Sequence, residues 1–258
     1  MAHHFDALQA QYAGLPEYGY DPLSTWKRGA ERAKHLLELS GMQCPGRTVL
    51  EVACGDGMAG FLLAGYGHDV QLTDAADWRD GRARGIAFTA SDVCERLPFA
   101  EASYDLVYSY NAFEHFPAPA LALSEIIRVC RPGGLMYFQF GPLYASPWGL
   151  HAYRMLRMPY PQFLFSAEFI QEKLRDMGIH DLGQELSELQ FTNQWRVDQF
   201  HALWEGSQCE IIDEHVYRDA GHLHLVKRFP QCFQGHGLTY DDLTIQSVYV
   251  TLRKPASA

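Results

Sequence analysis

Glycines, carboxylates and one histidine recur in this chain just behind apolar runs of strand length, and that placement could do chemistry. The first group is Gly55, Asp56 and Gly57, directly after Thr48-Val49-Leu50-Glu51-Val52-Ala53-Cys54. Glycines at alternate positions let the backbone pass close to a ligand that a Cβ would hold away. A helix starting at Met58 would add unpaired N–H groups for a polar or anionic part of that ligand. Asp74 follows at the end of a second run, 17 residues after Gly57. A carboxylate there can accept hydrogen bonds from both hydroxyls of a ribose. Asp92, in Ser91-Asp92-Val93, can accept from the exocyclic amine of a base. Asn111 to His115 (Asn-Ala-Phe-Glu-His) and the turn Arg131-Pro132-Gly133-Gly134 complete the series.

These groups need elements that bring them together. Val49–Ala53, Asp69–Thr73, Ile86–Ala90, Tyr104–Tyr110 and Leu135–Phe140 read as strands. The segments between have helix length or helix periodicity, above all Pro119–Cys130. Strands alternating with helices predict a parallel sheet covered on both faces. In such a doubly wound sheet, ligands sit beyond the carboxyl ends of the strands, where the strand order reverses.

Outside this run the pattern predicts an irregular arm over 1–23, rich in Tyr, Gly and Pro, and a helix capped by Ser24 and ending near Ser40. The stretch 141–165 carries four prolines and many aromatics, and reads as an insertion after strand five. Ser166–Met177 and most of Leu186–Glu205 read as helix, and Glu210–Arg218 and Thr244–Arg253 alternate like strands. The expected organisation is therefore an arm (1–23), a core (24–140), a cap with helices (141–207) and closing strands (208–258) that bring the sheet to seven.

With 258 residues and a formal net charge of −10, the chain is long enough for a sizeable core and lacks the cationic excess that non-specific phosphate binding needs. No apolar run approaches the roughly 20 residues of a membrane helix, and no leader is read at the first residues, so a cytoplasmic protein with neither nucleic-acid nor membrane partner is expected. Six cysteines without a C-x-x-C pair argue for free thiols rather than a zinc site. No metal ligand set is expected.

The segments VLEVACGDG (49–57), LTD (72–74), SDVCERLPFAEASYDLVYSYNAFEHF (91–116) and RVCRPGGLMYF (128–138) resemble the class I S-adenosylmethionine (SAM)-dependent methyltransferases, in particular those with small-molecule acceptors. The resemblance runs from about residue 48 to 140. It implies an α/β, doubly wound, Rossmann-like sheet, mostly parallel and seven-stranded, with an inserted aromatic cap after strand five. It implies SAM as cofactor. Glu51 and the backbone of Ala53, Gly55 and Gly57 would hold the methionine part. Asp74 would take the ribose, Asp92 and the Val93 backbone the adenine, and Asn111 would lie under the sulfonium. Ala53 departs from the family pattern, which has glycine there; a slightly changed turn is expected.

The implied activity is methyl transfer from SAM to a hydroxyl, or secondly an amine, of a small molecule in biosynthesis. Two rivals stay open. Gly55-Asp56-Gly57-Met58-Ala59-Gly60 satisfies the G-x-G-x-x-G fingerprint of NAD-dependent oxidoreductases, although Glu51, the SDV element and the PGG turn have no role there. A non-catalytic SAM-binding module would keep the same cofactor residues. Transfer from SAM is in-line and mostly a matter of positioning; a hydroxyl acceptor also needs to lose a proton, for which His115 or His151 is suited. Against that, His115 could serve as floor and His151 as packing. His222 and His224 on an expected strand could share one face. Tyr144, Trp148, Tyr153, Tyr160, Phe163 and Phe165 could form a substrate lid, or core and homodimer packing. Tyr12, Tyr18 and Tyr20 could close the cofactor site or pack. Cys54 and Cys94 read as small packing residues.

Overall fold

The computed structural model describes residues 2–13, 19–181 and 184–256. Tyr18 lies outside them. Seven strands form one sheet: β1 (Thr48–Val52), β2 (Asp69–Asp74), β3 (Ala87–Ala90), β4 (Tyr104–Tyr110), β5 (Cys130–Phe140), and the late strands Glu210–Arg218 and Ile245–Arg253. Between β5 and these lies a two-stranded ladder, β6 (Ile179–Asp181) with β7 (Gln184–Leu186), so the late strands are β8 and β9. The sheet order is β3-β2-β1-β4-β5-β9-β8. The first five strands run parallel, and β9 is antiparallel to both β5 and β8. Strand order reverses between β1 and β4, so the ends of those strands form the crevice. The predicted mostly parallel, doubly wound α/β sheet is what the chain forms.

Helices α1 (Phe5–Gln11), α2 (Pro22–Glu38), α3 (Met58–Tyr66), α4 (Pro119–Val129), α5 (Pro161–Leu164), α6 (Ala167–Met177), α7 (Val197–Gly206), α8 (Leu223–Arg228) and α9 (Tyr240–Thr244) complete the fold. One sheet face buries Leu50, Val107, Phe113, Phe138 and Trp204; the other buries Val49, Leu63, Leu72 and Tyr108. Both faces of each central strand are apolar, as a parallel sheet between helices requires.

Four local expectations change. The cap of α2 is Asp21, whose side chain accepts from the Leu23 and Ser24 amides. Pro22 takes the first helical position, where its missing N–H costs nothing and its φ is already helical; Ser24 therefore lies inside the helix. The arm is not wholly irregular, because α1 buries Phe5 and Leu8. Stretch 186–205 is helical only over α7, since Asn193 pins the chain ahead of α7 in a non-helical path: its side-chain amide donates to the Phe113 and Phe116 carbonyls, and its backbone N–H to Glu114 O at 2.9 Å. His222 and His224 start a short helix, α8, instead of alternating along a strand.

The stretch 141–165 builds a second apolar cluster. Leu156, Met158, Tyr160 and Leu164 are fully buried with Phe5 and Leu8 of α1 and Leu225 of α8. Tyr160 donates its hydroxyl to Leu243 O at 2.7 Å, tying this stretch to α9. Tyr160→Phe removes the donor and strands a buried carbonyl, which costs about 1 kcal/mol. Urea unfolding of the two proteins should show that loss with an unchanged slope; equal midpoints would mean that the hydroxyl contributes nothing to the anchoring.

Candidate active site

A cavity of about 470 Å³ opens at the carboxyl ends of β1 to β5. The turn after β1 shapes its floor. Ala53, Gly55 and Gly57 all hold positive φ (52°, 51° and 65°). A Cβ built on Gly55 would meet nothing within 4 Å, so the turn leaves open space along its backbone for a ligand. A Cβ on Gly60 would instead strike Leu72 at 2.5 Å and the Glu51 carboxylate at 2.9 Å. The third glycine of the G-x-G-x-x-G match thus serves the approach of α3 to the sheet.

Glu51 stands beneath this turn and does not line the cavity. It is 2% exposed and accepts from the Gly60 N–H at 3.1 Å. Burial pushes its carboxyl up to about 8, against the opposing pull of Tyr108 and Arg32. Asp74 does line the cavity and accepts the Gly55 N–H at 2.9 Å. Burial raises its carboxyl as well, and backbone N–H groups of Gly55, Ala75 and Ala76 hold it back. Asp92 lies further along with Ser91 and Val93, accepting from the Cys94 N–H at 2.8 Å. Asn111, at φ 51° just beyond β4, donates its backbone N–H to Gln139 O at 2.7 Å. Ala53, Gly55, Asp74, Asp92, Val93, Asn111, His115 and His151 therefore share one cavity, whereas Glu51 and Gly57 sit behind it. Burial raises the thiols of Cys54 and Cys94, which keeps them protonated.

Past Asn111 the chain turns inward with Glu114 and His115. Glu114 is 2% exposed, and its Oε1 accepts the Gly141 N–H at 2.9 Å. His115 Nδ1 meets Phe191 O at 2.6 Å, and its Nε2 lies 3.9 Å from Glu114 Oε1. His151, brought in by the stretch after β5, contacts Pro142 O through Nε2 at 2.8 Å. The two imidazoles meet edge to face, 4.7 Å between centroids. Of the aromatics after β5, Tyr153 reaches the cavity, whereas Trp148, Tyr160 and Phe165 are buried. Tyr20 lines the cavity, and the Tyr12 hydroxyl bonds His224 Nε2 at 2.7 Å.

The sequence reading missed Arg28 and Arg32. They stand one turn apart on α2, and both line the cavity. Arg28 pairs with Asp56 at 2.7 Å, and the Arg32 guanidinium lies 4.6 Å from the Tyr110 ring centre. Gly29 between them packs against α3, where a Cβ would approach Met58 to 2.7 Å. An i, i+4 arginine pair flanking a glycine on an amphipathic helix was the available signal.

Residues 50–138 match the family model described as a methyltransferase domain. An uncharacterized methyltransferase of Synechocystis sp. is 34% identical over 197 residues, covering 74% of this chain and 86% of that protein. The chain belongs to the class I SAM-dependent methyltransferases. A demethylmenaquinone methyltransferase of Beutenbergia cavernae is 37% identical over 109 residues, 40% of this methyltransferase and 44% of that one. A solved structure from Bacillus halodurans, described as a candidate methyltransferase, superposes with TM-score 0.54 at 18% identity over 89% of this chain and 99% of that one, which shows the shared fold. The oxidoreductase reading of the glycine turn falls with the family; the packing role of Gly60 fits either reading.

In this methyltransferase Ala53 occupies a left-handed position where the family pattern has glycine. A Cβ there costs roughly 1–2 kcal/mol, of which glycine's larger unfolded-state entropy returns a part. Ala53→Gly should therefore stabilise the protein by about 0.5–1 kcal/mol, measured by chemical denaturation. Destabilisation would mean that the methyl group packs well enough to outweigh the strain.

Proposed function

We propose that this methyltransferase transfers the methyl group of SAM to a hydroxyl of a small molecule. One observation carries the reading: the carboxylates after β2 and β3, the open glycine turn after β1 and two imidazoles beyond β4 and β5 line a single cavity. The donor and acceptor set suits the cofactor piece by piece. Asp74 would accept from the ribose hydroxyls, and Asp92 from the adenine amine beside the Val93 backbone. Ala53, Gly55 and Gly57 would shape the bed for the methionine part, with Glu51 acting from beneath the turn through the Gly60 end of α3. Arg28 and Arg32 offer cations for a carboxylate, and Asn111 would sit under the sulfonium. Bound SAM supplies an electrophilic methyl on a cationic sulfur.

The chain's own residues must then position the acceptor in line and help its hydroxyl ionise. His115 and His151 are the basic groups at that end of the cavity, and each is oriented by a backbone carbonyl. A small acceptor agrees with the cavity volume, with the acidic chain, and with a relative named for a quinone-type substrate.

Labelled SAM added with the protein to a size-fractionated extract of the organism that carries it should place label in the small-molecule fraction. Label on protein or nucleic acid would overturn the acceptor class. The ribose assignment has its own test. Asp74→Ala should weaken SAM binding by about 1–3 kcal/mol, as for a lost charged hydrogen-bond partner, and unchanged affinity in calorimetry would sink it.

A further inference from the structure

We propose that Glu114, His115 and His151 together bind one divalent transition-metal ion at the acceptor end of the cavity. The inference rests on the reading of that cavity as the methyl-transfer site and says how the acceptor hydroxyl is made reactive there. One ligand atom from each of the three residues can be chosen so that all lie within 4.8 Å of one another. Two imidazole nitrogens and one carboxylate form the donor set that holds catalytic zinc while leaving a coordination position open.

The second observation is an oxygen. Glu114 Oε2 is buried and has no hydrogen-bond partner among the described residues, while Oε1 is held by the Gly141 N–H. A buried carboxylate oxygen without a partner is costly, so the site calls for a cation or a donor. Each histidine is held by a backbone carbonyl. A ring that donates to a carbonyl through one nitrogen carries its lone pair on the other, and metal-bound histidines are commonly fixed this way. Contact of His115 Nδ1 with Phe191 O puts the lone pair on Nε2, the nitrogen 3.9 Å from the Glu114 carboxylate. Contact of His151 Nε2 with Pro142 O fixes the tautomer of that ring in the same way. Zinc–nitrogen bonds of about 2.0–2.1 Å require the three groups to close slightly from this spacing.

An acceptor hydroxyl in the open position would be ionised by the ion's charge, its proton passing to solvent. The oxygen then forms the new C–O bond as the methyl–sulfur bond breaks and the electron pair stays on sulfur. No oxidant or reductant is involved.

The test uses full-length protein stripped with a chelator and titrated with Co²⁺, followed by its visible ligand-field absorption and by calorimetry with Zn²⁺. One equivalent should bind, without the near-ultraviolet charge-transfer band that a cysteine ligand would add. His115→Ala and His151→Ala should each weaken binding at least ten-fold, the lower bound set by losing a mere supporting contact. Glu114→Gln keeps an acceptor for Gly141 and should also weaken the ion, while thermal unfolding and SAM affinity show that it still folds. Co²⁺ binding that is equal in wild type and His115→Ala, or missing from wild type at millimolar Co²⁺, overturns the site. So does methyl transfer that survives chelation yet is lost in His115→Ala, an outcome that leaves the proposed methyl transfer standing. Metal binding that follows these residues without any methyl transfer supports the ion and fails the transfer reading instead.

Discussion

The hydrogen bond from the Gly55 amide to the Asp74 carboxylate joins two strand ends that the sheet only places side by side. Strands β1 and β2 pair from Thr48↔Asp69 to Val52↔Thr73, and this bond continues the pairing into the turn with a side chain. It holds a backbone in the left-handed region against a half-buried carboxylate, and the cavity floor follows from it. Asp74 accepts from the turn and at the same time lines the cavity. A half-buried carboxylate is tolerable on these terms, since a hydrogen-bonded charge loses far less on leaving water than a bare one.

The same economy governs the other side of the cavity. Glu114 reaches inward from beyond β4 and is held at one oxygen by Gly141, the first residue after β5. Asn193 binds the carbonyls of Phe113 and Phe116 and keeps that loop from turning outward. His151 arrives on a stretch whose position depends on the second apolar cluster, through Tyr160, Leu156 and α1. A surface stretch with this many aromatics would be mobile without such burial; with it, one histidine and one tyrosine are delivered to the cavity on a packed base.

Much of the site was legible because its residues follow strands, and strands announce themselves by short apolar runs. The turn glycines, Asp74, Asp92, Asn111 and His115 all fall at run ends, where the topology of a parallel sheet puts ligand contacts. His151 was legible only as a member of an aromatic stretch. Arg28 and Arg32 were not, because a helix arginine reads as solvated until the neighbouring helix is known. The missed cap at Asp21 and the missed helix α1 are local: Pro22 outranks Ser24 as a helix start, and α1 is short enough to depend on burial of Phe5 and Leu8. His222 and His224 alternate in sequence, and alternation over three residues fits a turn of helix as well as a strand.

By itself the sequence determined the alternation of strands and helices, the glycine turn and the order of carboxylates, because each is written in residues close together along the chain. Tertiary structure decided that Glu51 lies beneath the cavity, since its exposure depends on how closely Gly60 lets α3 approach the sheet. It also decided that Glu114, His115 and His151 meet. Their encounter depends on where the chain after β5 packs, and that is set by apolar contacts with α1, α8 and α9, from the two far ends of the sequence.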